Sequence, residues 1–487
     1  MSTAFGSINT NVSALSALNS LGNTNQTITG LENQLSTGLS INSPANNPAG
    51  YTIAQGFTTQ INGTNQGISN ANQAVSLLQT ATGALGQQTN ILQNVRTIAV
   101  QAANGSNTSA DLASLQSTVG QLVAQVSTIS QQTQFNGISL LNGSFAGVQF
   151  QVGANQGQVI DASVGSTAAT NLGVYQTAAA SGTYTAAGTT GGNSYVISTS
   201  GAFTSGSMNV LGSVGSGSVT VSSSGESAAS VAASVNNISN LTGVNAQAYT
   251  SVAFNVASTG DVSFSLGNGT SGSQNNAVNI SASVTGDTAA GLSSLVQSVN
   301  NNTSTTGIAA SVNTNNQLVL TDVNGNNVSI ASFSGGVSLT AGSTTISATT
   351  AGATVQGLTS FQSANAFTVS GGSHVGVSSG SALINLTQVN VGTQQGASNA
   401  ITIISYALQQ LNQQGTQLGA VQQRVQSALS NLQTTNTNDQ AALSVIQDAN
   451  IPQVSTNLTQ AQILQQAGIG ALSASSQTQQ AYLKLIP

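Results

Sequence analysis

A helical periodicity is confined to the two ends of this chain. From Leu112 the apolar positions fall at Leu115, Val119, Leu122, Val126 and Ile129, alternating steps of three and four in the manner of a coiled-coil seam. Near the other end the same alternation runs through Ile404, Leu408, Leu411, Leu418, Val425, Leu429, Leu432, Leu443 and Ile446, with Gly415, Gln422, Asn436 and Asp439 in its weak slots. Ala17, Leu21, Thr24, Ile28, Leu31 and Leu35 form another seam, Ile68, Ala71, Val75, Leu78, Thr82 and Leu85 another, and Ile451, Val454, Leu458 and Ala461 a weaker one. A single stripe requires only that one helix face a core. Seams at both ends predict more, namely N- and C-terminal helices packed on each other, with the middle of the chain hanging from that stem.

The middle has the period of strands. Val148, Phe150 and Val152 alternate with Gln149 and Gln151, and Ala154-Asn155-Gln156-Gly157 supplies a turn before Val159 and Ile160, which predicts a β-hairpin. Residues 176–395 are rich in Gly, Ser, Thr, Ala and Val, with alternating runs at 218–222, 252–256 and 318–323, and Pro44, Pro48, Pro452 and Pro487 all lie outside them. Two short helical patches, 228–235 and 289–299, each precede a Thr-Gly turn (Thr242-Gly243, Thr306-Gly307) and strands, the pattern of a degenerate internal duplication. The fold class is therefore α+β: long coiled-coil-like helices from both termini packed together, with one or more β-rich outer domains inserted between them.

Charge then narrows function. Lys and Arg number 3 and Asp and Glu 9 in 487 residues, so charged residues are 2% of the chain where about 25% is usual. Arg96, Arg424 and Lys484 cannot neutralise several phosphates, which argues against nucleic acid and anionic membranes as partners. Scattered acids and one histidine leave little for acid–base chemistry or metal ligation, and His374, in Gly372-Ser373-His374-Val375, reads as a solvent-facing loop residue. Cysteine is absent. No catalytic, cofactor-binding or metal residue is expected, and the Gly-rich stretch 182–192, lacking a lysine, reads as turns rather than a phosphate loop. No apolar run approaches the roughly 18 to 20 residues of a membrane span. The opening MSTAFGSINTNVSAL lacks a basic segment followed by an apolar core and cleavage signal, so no secretory signal peptide is visible, and a chain of this kind that leaves the cell needs a dedicated exporter.

The terminal helices are weak by propensity. Gly30, Gly38, Gly83, Gly86, Gly120, Gly415 and Gly419 lie in or beside them, each interior glycine costs about 0.5 to 1 kcal/mol relative to alanine, and i,i+4 ion pairs are nearly absent. Residues 2–43 and 452–485 are expected to be unstructured in the free chain and to fold when neighbours cover them.

Specific motifs carry a family resemblance. Ile8-Asn9-Thr10-Asn11, then Leu35-Ser36-Thr37-Gly38-Leu39-Ser40-Ile41-Asn42-Ser43 and Ala49-Gly50, open a series continued by Val100-Gln101-Ala102-Ala103-Asn104-Gly105, Gln132-Thr133-Gln134-Phe135-Asn136-Gly137 and Gln151-Val152-Gly153-Ala154-Asn155. Leu418-Gly419-Ala420-Val421-Gln422-Gln423-Arg424 and Ala461-Gln462-Ile463-Leu464-Gln465-Gln466-Ala467-Gly468 close it. Over residues 1–175 and 397–487 the chain resembles bacterial flagellin.

The resemblance implies a subunit of the extracellular flagellar filament. Residues 1–44 with 448–487 would line an inner tube, 45–175 with 397–447 an outer tube carrying the hairpin near 148–160, and 176–396 the variable surface. It further implies subunit-packing seams at Leu21, Ile28, Leu31, Leu35, Leu112, Leu115, Val119, Leu122, Val126, Ile129, Leu408, Leu411, Leu418, Val425, Leu429, Leu432 and Leu458. The implied partners are other copies of the chain, an export chaperone on the C-terminal helices, and hook-associated junction and cap proteins. No cofactor is implied. A hook–filament junction protein shares the helix plan, although the complete Ala461–Gly468 motif favours the filament. A non-flagellar adhesin would explain the middle alone, and the protease insertions of some flagellins need an HExxH helix that is missing here.

Departures from the family pattern are informative. Ser40 and Asn46-Asn47 occupy positions where the family carries an arginine and an acidic pair, so filament contacts are expected to rest on apolar seams and hydrogen bonds and to be insensitive to carboxylate protonation. An acidic habitat, composition drift and a heavily glycosylated Ser/Thr surface remain alternative causes. In the helix motif by which Toll-like receptor 5 detects many flagellins, here Leu92, Gln93 and on to Ile98, the family's arginine falls on Asn94 and its glutamate on Thr118. A neutral amide does not replace an arginine's fork of donors, so recognition is expected to be weak or absent.

Overall fold

The computed structural model describes residues 10–179, 185–188, 194–198, 203–222, 226–270, 273–313, 315–342, 344–349 and 352–484. Its helices are α1 (Val12–Thr37), α2 (Pro48–Ala102), α3 (Ser109–Gln132), α4 (Ala228–Asn237), α5 (Ser239–Thr242), α6 (Ser293–Asn300), α7 (Thr303–Thr306), α8 (Gln394–Gln447) and α9 (Ile451–Lys484). Every predicted seam lies on one of these, and the middle is β-rich, as the α+β reading requires. The chain forms two compact units, one of Met1–Thr80, Ala146–Ser163 and Gln417–Pro487, the other of Ala81–Phe145 and Val164–Thr416.

In the first unit local chemistry sets the helix ends. The Asn11 side chain accepts the Ala14 amide at 2.8 Å to start α1, and Gly38, at φ +70, closes it by donating its amide to the Gln34 carbonyl. Proline occupies the first position of α2 and the second of α9, where the ring's fixed φ suits the helix and no intrahelical donor is lost. The hairpin pairs Val148–Gln151 with Val159–Ala162, and it rests on α2 at two glycines one turn apart. A Cβ on Gly67 would lie 3.1 Å from the Val152 backbone, and one on Gly63 would lie 2.7 Å from Ala154 Cβ, so close backbone approach requires glycine there. Asn70 Nδ2 fastens the contact by donating to the Gln151 carbonyl at 3.0 Å.

The second unit contains a well-filled helical portion and two β cores. Leu92 and Val95 of α2, Val119 and Val126 of α3, and Ile404 and Leu411 of α8 are all essentially inaccessible, as are Leu140 and Leu141 in the loop after α3. A larger sheet runs, in strand order, Ile308–Val312, Leu318–Asp322, Asn245–Ala257, Leu358–Ser363, Gly173–Ala179, Val377–Asn385, Thr368–Ser370, Gly206–Leu211 and Ser216–Val221, with Ser338–Ala341 and Thr344–Ile346 branching from it. A six-stranded sheet joins Ser273–Val284, Gly260–Thr270, Val328–Gly335, Gly352–Val355, Ser194–Ser198 and Thr185–Gly188. One core gathers Phe254, Phe264 and Phe333 with Leu295 and Val299 of α6, and the other gathers Met208, Phe361 and Phe367 with Val231 and Val235 of α4.

The duplication expected from the Thr-Gly turns extends to individual hydrogen bonds. Asn236, at the end of α4, donates to the Ala246 carbonyl at 3.0 Å and accepts the Ala246 amide at 2.7 Å. Asn300, at the end of α6, treats Ala310 in the same way at 2.9 and 2.7 Å. Gly243 and Gly307 follow at φ +71 and +74. The helix of the second copy begins later than its apolar pattern indicates, at Ser293.

His374 departs from the sequence reading. It sits half-buried in a short 3-10 turn, Gly372–Val375, its ring lies where a Cβ on Gly206 would be, and its Nδ1 is 2.9 Å from Thr204 Oγ1. Glycine at 206 leaves the space that the ring fills, which residue spacing alone does not reveal. The Gly-rich stretch 182–192 lies outside the described residues except at 185–188.

Candidate assembly surface

Helices α1 and α9 run antiparallel: Asn11 Nδ2 donates to the Ser475 carbonyl at 3.2 Å, Leu21 lies over Gly468, and Gln465 Nε2 donates to Asn25 Oδ1 at 2.7 Å. A short backbone tie closes the pair, with the Ser40 amide donating to the Gln447 carbonyl at 2.6 Å and the Ala449 amide to the Gly38 carbonyl at 2.8 Å. Among the residues of these two helices whose burial is described, Ile28, Val454 and Ala461 are the buried ones. Val12, Leu15, Leu18, Leu35, Ile451, Ile463, Leu464 and Ile469 remain between 38% and 73% exposed. The pair thus leaves more large apolar side chains exposed than it buries, which marks an interaction surface.

The predicted seam residues fall into three groups. Ile28, Val119, Val126, Leu411, Leu418 and Val425 are buried within the protomer, as is Leu92. Leu21, Leu31, Leu112, Leu115, Leu122, Ile129, Leu408, Leu429, Leu432 and Leu458 are half-buried, and Leu35 is exposed. Gln93, Asn94 and Thr118 are exposed and Ile98 is half-buried. The seam read from the sequence of α1 is the stripe turned toward α9. A second stripe, Val12, Leu15 and Leu18, escapes that reading although it repeats every three residues. A search for two apolar faces on one helix would find it.

Amides occupy the places where ion pairs usually act. Asn436 Nδ2 on α8 donates to Asn65 Oδ1 on α2 at 2.9 Å, and Gln116 on α3 donates to the Val389 carbonyl at 3.2 Å while accepting the Val391 amide. Gln88, fully buried, donates to the Val126 carbonyl at 2.9 Å. Hydrogen bonds from the side chain and backbone of Thr108 hold the Asp111 carboxyl below its ordinary value, and burial pushes the Tyr406 phenol up against the opposing effect of its hydrogen bond from Asn245. Among the described residues no three His, Cys, Asp or Glu side chains cluster as metal ligands would, and no helix is long and apolar enough to cross a membrane.

Comparison with known proteins places these features. Residues 8–146 match the bacterial flagellin N-terminal helical region and residues 401–486 the bacterial flagellin C-terminal helical region. The B-type flagellin of Pseudomonas aeruginosa is 34% identical over 98% of this chain and 99% of its own. Flagellin B of Vibrio cholerae is 27% identical over the same shares of each. The structure of FliC from Burkholderia pseudomallei aligns with 72% of this chain and 99% of that one at 20% identity, with a TM-score of 0.30. With both helical regions matched and a full-length relative at that identity, the chain belongs to the bacterial flagellin family and is a structural subunit of the extracellular flagellar filament.

Proposed function

We propose that this chain performs its filament role through the α1/α9 pair, which would line the inner tube as residues 1–44 with 448–487. Residues 45–175 with 397–447 would form the outer tube, and 176–396 the exposed surface. The observation that supports this reading is the imbalance on the terminal pair, three buried apolar side chains against eight exposed ones. A surface so arranged is covered when copies stack, and closed or helical repetition covers it on every subunit except those at the ends. The half-buried seam residues Leu112, Leu115, Leu122, Leu429 and Leu432 are secondary candidates for the same contacts. Substituting Leu15→Asp or Leu464→Asp tests the reading by sedimentation: the variants should leave the protein in the supernatant with its β signal intact. Wild-type pelleting of both variants would contradict it.

The resemblance also supports a catalysis-free role, capture of α9 by an export chaperone before assembly, contacts with hook-associated junction and cap proteins, and export without cleavage. Peptide mapping of filament protein should therefore recover peptides from residues 2–43. Immunogold labelling against 176–395 should follow the entire flagellum, whereas a band near the hook would assign the chain to the junction instead. Detection by Toll-like receptor 5 should be weak, since Asn94 and Thr118, both neutral and exposed, stand where the family carries its arginine and glutamate. A reporter-cell response at ordinary flagellin doses would refute that.

A further inference from the structure

The outer part of the chain has its own unpartnered apolar patch. Leu211 ends one strand of a hairpin, Val214 occupies the loop that follows, and Leu241 lies in α5, which packs beside them. They are 54%, 68% and 60% exposed. Their proximity is fixed by glycines. The Gly212 amide donates to the Gly215 carbonyl at 2.9 Å to close the loop, a Cβ on Gly243 would lie 3.1 Å from Val214 Cγ2, and one on Gly215 would lie 3.0 Å from the Leu241 carbonyl. Among the described residues of 173–391, Val323 is the one other large apolar side chain so exposed. Three of four such side chains therefore share one spot.

The patch is fastened to the helical region. Ser363 Oγ donates to the Gly243 carbonyl at 2.8 Å and Asn365 Nδ2 to Ser213 Oγ at 3.3 Å. Between these anchors the Ala364 carbonyl accepts from Gln410 Nε2 on α8, whose Oε1 accepts the Gly173 amide at 2.9 Å. Gln410 lies within the C-terminal helical region of the flagellin family. The patch is thus linked, through residues 363–365, to α8.

Three side chains fall far short of the roughly 800 Å² per partner of a free-standing interface, so the patch can pair only where copies are already held side by side. We propose that Leu211, Val214 and Leu241 form a lateral contact with the outer domain of a neighbouring copy of this chain in the assembled filament. The inference rests on filament assembly and adds a contact outside the helical regions.

Because the chain contains no cysteine, single substitutions Val214→Cys and Leu241→Cys each introduce one thiol for maleimide labelling, with Val323→Cys as the reference. The first two should react at least tenfold more slowly in purified filaments than in monomer, while Val323→Cys keeps its rate. Equal rates in monomer and filament at 214 and 241 would overturn the contact. So would matching protection of Val323→Cys, which would indicate general crowding, or protection on cells that vanishes in purified filaments, which would indicate a different occupant. Failure to form any filament, visible by electron microscopy beforehand, would contradict assembly itself.

Discussion

At single positions the chain separates glycines that are merely unfavourable from glycines that are required. A Cβ on Gly83, Gly86, Gly120 or Gly415 would meet nothing within 4 Å, so these residues only weaken their helices. Gly83→Ala and Gly120→Ala should each stabilise the monomer by about 0.5 to 1 kcal/mol, read as a rise in melting temperature. Gly67→Ala should act oppositely, by about 1 to 3 kcal/mol, because its Cβ would press on the Val152 and Gly153 backbone. An unchanged melting temperature for Gly67→Ala would show that the hairpin moves aside without cost. The distinction is not legible in the sequence: all these glycines read alike in a helical pattern, and only the partner strand tells them apart. Apolar seam residues read more directly. Ile28 and Val126 are identifiable as buried because steps of three and four are a property of the chain's own period.

Among elements, α3 has the best-defined start. Thr108 Oγ1 accepts the Asp111 amide at 3.2 Å, and the Asp111 carboxylate accepts from the Thr108 amide at 3.0 Å and hydroxyl at 2.7 Å, a complete capping box. Since these bonds lower the Asp111 carboxyl in the folded state, their stabilisation is full above the unfolded-chain value of about 4 and is lost as pH falls through the lower folded value. The melting temperature of Thr108→Ala should lie below wild type at pH 7 and approach it at pH 2. A gap of constant size would mean that the carboxylate is not involved. Long elements are easy to read for a physical reason: α2 and α8 repeat their apolar spacing over many turns, and the strands 252–256 and 318–322 alternate cleanly. Sheet order is not readable, because pairings such as Asn245 with Gln362 and Tyr249 with Leu358 join distant segments that bear no sequence mark of their partner. The second apolar face of α1 is also hidden, since its side chains have no partner inside the protomer that a single core-facing pattern would anticipate.

At the scale of the whole molecule, contacts between helices rest on amides and apolar side chains, with only nine acidic residues to titrate. Filament integrity should therefore change little between pH 7 and pH 2, followed by sedimentation, and dissociation near pH 3 would show that a few carboxylates hold the polymer. We infer that α1 and α9, which bury little within one chain, are unstable alone and gain their structure from neighbours. Amide hydrogen exchange across 12–37 and 451–484, in monomer and in filament, tests it most directly. Amides should be near-unprotected in the monomer and slowed on the order of a hundredfold or more in the filament; equal protection in both states would show that the helices are ordered without neighbours.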